Sequence, residues 1–192
     1  MKLSTAIALS LISLFVPALA APSPAFSGVP MHVSGPVVPG GPNVELDGTA
    51  EEIVAKLDKL HPGWQKEQTT TGKRSLETRY WRGTPKCERI GGNGALEHHI
   101  QSGINHLNNL GERQCGAPAR DCSRVSCSHG SAIFLCSNRD HPISVPCNRI
   151  GGAAQRIKDD CTNRTFTFFG YYVDGQWENT DGYTVYIRDG VC

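Results

Sequence analysis

The apolar positions along this chain change period several times, and each change predicts an element. Over 49–60, Ile53, Leu57 and Leu60 share one helical face behind Thr49 and Glu52, a capping-box pair, and Pro62-Gly63 ends the run. The composition of 76–81 suits an edge strand. Across 95–110, Leu96, Ile100, Gly103, Ile104, Leu107 and Leu110 form a single stripe, which predicts a helix stopped by Gly111. Stretches 124–127 and 132–136 predict a hairpin around Ser128-His129-Gly130-Ser131. A further helix is expected over 148–160, with Ile150, Ala154, Ile157 and Cys161 on one face. The last strands are expected at 166–172 and 183–188, linked through Val173-Asp174-Gly175 and Asn179-Thr180-Asp181-Gly182.

From residue 75 onward the order is therefore β-α-β-β-α-β-β. That order predicts an α+β fold: a disulfide-stapled α/β sandwich with two helices on one face of an antiparallel sheet. An internal echo accompanies it. Cys87-Glu88-Arg89-Ile90-Gly91-Gly92 returns as Cys147-Asn148-Arg149-Ile150-Gly151-Gly152, which fits either chance or a pseudo-twofold relation between halves.

The first 74 residues are a different material. Lys2, an apolar run from Ala6 to Leu19 and the small-residue exit Ala18-Leu19-Ala20 have the layout of a secretory signal peptide cut after Ala20. The run is too short for a membrane span of about 20 residues. Residues 21–74 contain no cysteine, and their Pro/Gly/Ser/Val-rich first half has no helical or strand period, so an extended or disordered leader is expected. Its polar end presents Lys73-Arg74, which resembles a kexin-type processing site. The chain thus divides into a signal peptide (1–20), a propeptide-like leader (21–74) and a cysteine-rich domain (75–192).

Charge and cysteine usage narrow the partners. Lys and Arg number 19 against 18 Asp and Glu, a balance that gives no bulk attraction to nucleic acid or a membrane surface. Eight cysteines, Cys87, Cys115, Cys122, Cys127, Cys136, Cys147, Cys161 and Cys192, all lie in the last part of the chain. In an exported protein they read as four disulfides rather than a metal cage. Their pairing is not deducible from spacing, though staples between elements are favoured over local ones. Cys161 is expected to reach Cys192 or a hairpin cysteine, and Cys192 to tie down the last strand.

The hairpin run Cys122-Ser123-Arg124-Val125-Ser126-Cys127, followed by Ser131-Ala132-Ile133, Cys136, Cys147 and a helix ending in Cys161, resembles small secreted cysteine-rich proteins of filamentous fungi. More distantly it resembles the killer-toxin α/β-sandwich family named for a virally encoded toxin of a smut fungus. The likeness covers about 87–192. It implies an extracellular toxin or virulence-associated effector that binds a host or competitor protein, with interference at calcium channels as one action, through exposed basic residues. This chain carries fewer cysteines than the toxin, and only Lys86 and Lys158 are lysines after residue 75, so no basic residue can be equated with the toxin's functional one.

Candidate chemistry is sparse. Glu97, His98, His99 and His106 are the densest titratable group, but adjacent histidines on a helix diverge by about 100°, so no metal is expected there. No catalytic residue is assigned. The alternative is a secreted hydrolase such as a ribonuclease, using Glu97 and His99 as acid and base with an arginine on the phosphate. Gly91-Gly92-Asn93-Gly94 reads as a loop and helix start rather than an anion site. Asn163-Arg164-Thr165 is a glycosylation acceptor. Trp177, among polar neighbours, and Arg124 are the candidate binding residues. The expectation is a monomeric secreted binding protein without cofactor, nucleic-acid partner or stable membrane insertion.

Overall fold

The computed structural model describes residues 25–67, 80–87, 94–163 and 168–192, with side chains from residue 28. Ala20, Lys73 and Arg74, most of the expected strand at 76–81, the start of the one at 166–172, and all of the 87–92 echo except Cys87 lie outside the described residues.

The chain is mixed α+β. Its elements are β1 (Ala25–Pro36), β2 (Asn43–Gly48), α1 (Ala50–Leu60), the single-turn α2 (Trp64–Glu67), β3 (Ala95–Leu96), α3 (Glu97–Leu110), β4 (Gln114–Ala117), β5 (Asp121–Ser128), β6 (Ser131–Ser137), β7 (Ile143–Pro146), α4 (Cys147–Cys161), β8 (Tyr172–Val173), β9 (Gly175–Asn179) and β10 (Tyr183–Asp189). Eight strands form one sheet in the order β7-β4-β1-β5-β6-β10-β9, with β2 added on β1, while β3 and β8 pair separately. All ladders in the large sheet are antiparallel except β1 with β5.

Several elements form where the pattern puts them. Thr49 and Glu52 cap α1 reciprocally, with the Thr49 N–H donating to Glu52 Oε2 at 2.9 Å. The α1 face that is buried is Ala50, Ile53, Val54 and Leu57, whereas Leu60, expected on that face, is 58% exposed in the last turn. In α3 the buried stripe is Ile100, Gly103, Ile104, Leu107 and Leu110, and Gly111 caps it at φ 65. Ala95 and Leu96 leave the expected helix and pair with β8, because the Leu96 N–H donates to Ser131 Oγ at 2.9 Å and that of Glu97 to the Tyr171 carbonyl. The hairpin turns on His129-Gly130, both at positive φ (48 and 73), the conformation a two-residue type I′ connection requires.

The fold is continuous across the segments on either side of residue 74. Residues 25–67 share the sheet and the main core with the cysteine-rich part: Met31, Val33, Ile53, Leu57 and Trp64 are buried with Ile100, Ile104, Ile133, Leu135, Ile150 and Ile157. Of the Pro/Gly-rich stretch, Ala25–Pro36 is extended as β1, inside the sheet. Each fully buried aliphatic or aromatic side chain contributes about 1.5–3 kcal/mol, so the leader's share of the core is a large part of the stability of a domain this size.

Two helix glycines set the distance between layers. A Cβ on Gly103 would sit 2.0 Å from Ser126 Oγ, and one on Gly151 would sit 2.4 Å from Asn108 Oδ1. Gly103 brings α3 onto β5, and Gly151 brings α4 onto α3. Gly103→Ala is expected to push Ser126 away and lower stability by about 1–3 kcal/mol, read as a drop in Tm. A Gly103→Ala protein as stable as the wild type would show that the helix does not rest on β5 at that point.

Candidate functional site

Three of the four disulfides join stretches 32 to 74 residues apart, and the fourth staples the β5–β6 hairpin. Cys87 pairs with Cys161, Cys115 with Cys147, Cys122 with Cys136 and Cys127 with Cys192. The first corrects the expectation for Cys161. The last turn of α4 ends against the segment 80–87 and β9, where Gly175 leaves room: a Cβ there would lie 3.0 Å from Cys161 Sγ and from the Lys86 carbonyl. Cys192 does fasten the end of the chain, to β5. The two echo cysteines play unlike parts, Cys147 opening α4 against β4 and Cys87 closing on its far end.

Segment 80–86 runs along the outer edge of β9. Lys86 and Gln176 exchange backbone hydrogen bonds at 2.8 and 3.0 Å, and the Arg82 N–H donates to the Glu178 carbonyl at 2.9 Å. Trp81 stacks on Trp177 with centroids 4.6 Å apart, and Trp177 Nε1 donates to the Gly83 carbonyl at 3.2 Å. Trp177 is therefore a core residue, 3% exposed, and not the expected contact residue. Alternation along β9 explains the difference: Gly175, Trp177 and Asn179 point inward, leaving Gln176 and Glu178 outside.

Those outward side chains build a cleft of about 230 Å³. Arg82, Thr84 and Lys86 form one wall, Gln176 and Glu178 the middle, and Thr184, Tyr186 and Asn138 the other side. Arg82 Nε lies 3.4 Å from Glu178 Oε1, and Asn138 Nδ2 donates to Thr184 Oγ1 at 3.0 Å. Tyr186 belongs to a second small apolar cluster with Cys122, Ala132, Phe134 and Cys136 on the outer side of the sheet. Burial raises its phenol above the ordinary tyrosine range, Thr184 opposes this through a hydrogen bond, and the Glu178 charge adds to it. The phenol is consequently a neutral donor at physiological pH. Two cations, one carboxylate, a phenol, two threonines and two amides suit recognition of acidic or strongly hydrogen-bonding groups.

The other sequence candidates lie elsewhere. Arg124 donates to the Val191 carbonyl, so it helps hold the C-terminal residues that Cys127–Cys192 anchors. Glu97 accepts from Lys158 at 2.8 Å, joining α3 to α4. His99 instead stacks on His129 of the hairpin turn at 4.5 Å and lies 4.0 Å from the His98 ring. The suggested acid–base pair is thus divided between two neighbourhoods. Asn163 is exposed, with its N–H on the Tyr172 carbonyl at 2.7 Å, just after α4. Phe168, Phe169 and Tyr171, expected within a strand, are exposed, and Phe168 and Phe169 lie in a turn. Sequence reading missed the cleft because its residues come from three separate stretches. The one signal that could have found it is the outward phase of β9 and β10.

A disulfide-stapled α+β domain with a polar outer cleft defines the class. Residues 82–188, more than half of the chain, match the family described as domain of unknown function (DUF8794), and the chain belongs to that family. No curated protein and no solved structure matches it.

The imidazole stack makes a measurable statement. Burial, then the neighbouring His98 and His129, lower the His99 pKa from 6.5, so the folded state prefers it neutral. Its contribution to stability is present above 6.5 and is lost as pH falls through the lowered value. Histidine NMR titration is expected to give His99 a value below 6.5, and His129→Ala to raise it. An unchanged value in that variant would remove the stack as a cause.

Proposed function

We propose that this is an exported, disulfide-stapled effector or toxin-like protein that acts by binding a protein target on another cell through the outer cleft. The observation that carries the reading is the cleft itself, with Arg82 and Lys86 exposed on a wall fixed by the Cys87–Cys161 disulfide and the Trp81–Trp177 stack. Export is supported by the signal-peptide pattern and by four disulfides, which persist in oxidising surroundings. No helix among the described residues is long and apolar enough to cross a membrane.

The resemblance to fungal killer toxins supplies the action: interference with calcium entry, dependent on exposed basic residues. The structure separates the two lysines that such a role could use. Lys158 is engaged by Glu97 and Asp159 with its side chain only 14% exposed, whereas Lys86 stands exposed at the cleft. Arg82 and Lys86 are the positions on which this reading depends. The finer relation to the killer-toxin sandwich belongs to the same proposal and stands on the hairpin cysteines and the pair of helices.

Growth and calcium uptake of fungal and plant cells exposed to the full oxidised protein test it. Inhibition is expected, relieved by added calcium, lost on reduction and alkylation, and weakened at least tenfold by Arg82→Ala with Lys86→Ala. Full potency in the double variant would remove the cleft from the mechanism. Release of nucleotides from RNA by the purified protein would replace the binding reading with the hydrolase one.

A further inference from the structure

We propose that residues 25–67 are a permanent, non-covalently held part of the folded protein, so that a cut anywhere between Glu67 and Tyr80 yields a two-chain particle and not a freed cysteine-rich domain. The inference does not depend on what the protein binds. It concerns the segment that sequence reading assigns to a removable leader.

The leader occupies a site that runs through the rest of the molecule. β1 hydrogen-bonds to β5 along one part of its length and to β4 along another, and in the strand order it stands between them. Among the described residues, β1 is the strand that hydrogen-bonds the β4–β7 pair to the β5-β6-β10-β9 ladder. Behind the strand, α1 packs on α3 and β5 and buries Ile53 and Leu57 completely, and Trp64 of α2 is fully buried as well.

Specific polar contacts close the joint from the other side. Arg113, buried between α3 and β4, donates from Nη2 to the Val37 carbonyl at 2.6 Å and lies 4.7 Å over the Trp64 ring. Ser126 of β5 donates to Glu51 of α1 at 2.5 Å. If the leader departed, the Arg113 guanidinium would lose the Val37 carbonyl and the Trp64 ring while keeping the Leu110 carbonyl at 2.8 Å, and Ser126 would lose its carboxylate. Buried polar groups stripped of partners in this way oppose departure. No cysteine lies in residues 1–86, so nothing covalent retains the leader once the chain is cut. Retention rests on the strand, the core and Arg113.

A full chain with a sequence-specific protease site placed between Glu67 and Tyr80 is oxidised, folded, cut to completion and examined by native mass spectrometry and size exclusion. Both pieces are expected to travel together at the mass of the uncut chain, to keep its thermal transition to within a few degrees, and to separate in denaturant without reductant. Arg113→Met is expected to speed release of the small piece at least tenfold. Should that variant not fold, the wild-type cut decides alone. A small piece that leaves the uncut-mass species under native conditions overturns the inference, whether or not the remainder stays folded.

Discussion

Everything on the sheet depends on how β1 is held. The ladder from β5 to β9 and the short β4–β7 pair are separate pieces of antiparallel sheet, and β1 joins them by running parallel to β5 and antiparallel to β4. A strand with Pro30 and Pro36 is poorly suited to a central position, since each proline removes a ladder donor. The chain accommodates this by changing partners along its length. Gly28, at φ +68, falls in the register shift of the β5 ladder, and β2 takes up pairing from Met31 onward. One strand can therefore serve two sheet pieces without a full ladder on either side.

Arg113 completes the same joint in a different way. Burial lowers its pKa to about 10, which still leaves it charged at any physiological pH. Carrying a charge into the core is costly unless its donors are met. Here the planar guanidinium meets the carbonyls that end α3 and follow β1, and its face meets an indole. Lysine, with a compact ammonium, could not satisfy that geometry. The cation thus links three elements that share no ladder.

What could be read in advance follows from range. Helices α1, α3 and α4 and the β5–β6 hairpin are local patterns, and their caps, stripes and turn glycine were legible in the residues themselves. The role of 25–36 was not, because its buried-exposed-buried alternation runs only over Met31, His32 and Val33, too short a stretch between Pro30 and the Gly35-Pro36 pair to read as a strand. Disulfide pairing was hidden for a related reason: Cys87 meets Cys161 only after α4, β9 and the 80–87 segment have converged, across 74 residues. Trp177 was misread because polar neighbours in sequence are opposite-face neighbours in a strand. The cleft was invisible as a cluster although each of its residues was in plain view.

The two faces of the sheet divide the work. The main core buries side chains of α1, α3 and α4 together with inward residues of the sheet, and the glycines at 103 and 151 fix the spacing between these elements. On the outer face only the Cys122–Cys136 disulfide, Phe134, Tyr186 and a few small residues are buried, and the polar cleft lies directly beside them. The 80–87 wall is tied by the Cys87–Cys161 disulfide and backed by the Trp81–Trp177 stack, so a target of the proposed kind would meet a backbone already held in place. Preorganisation of that kind raises affinity without adding contacts. The exposed side of this cleft, Arg82, Thr84 and Lys86, stands clear of the core, whereas Thr184 and Tyr186 opposite are buried and belong to the packing of the outer face, so the polar wall can change its side chains while the far side cannot.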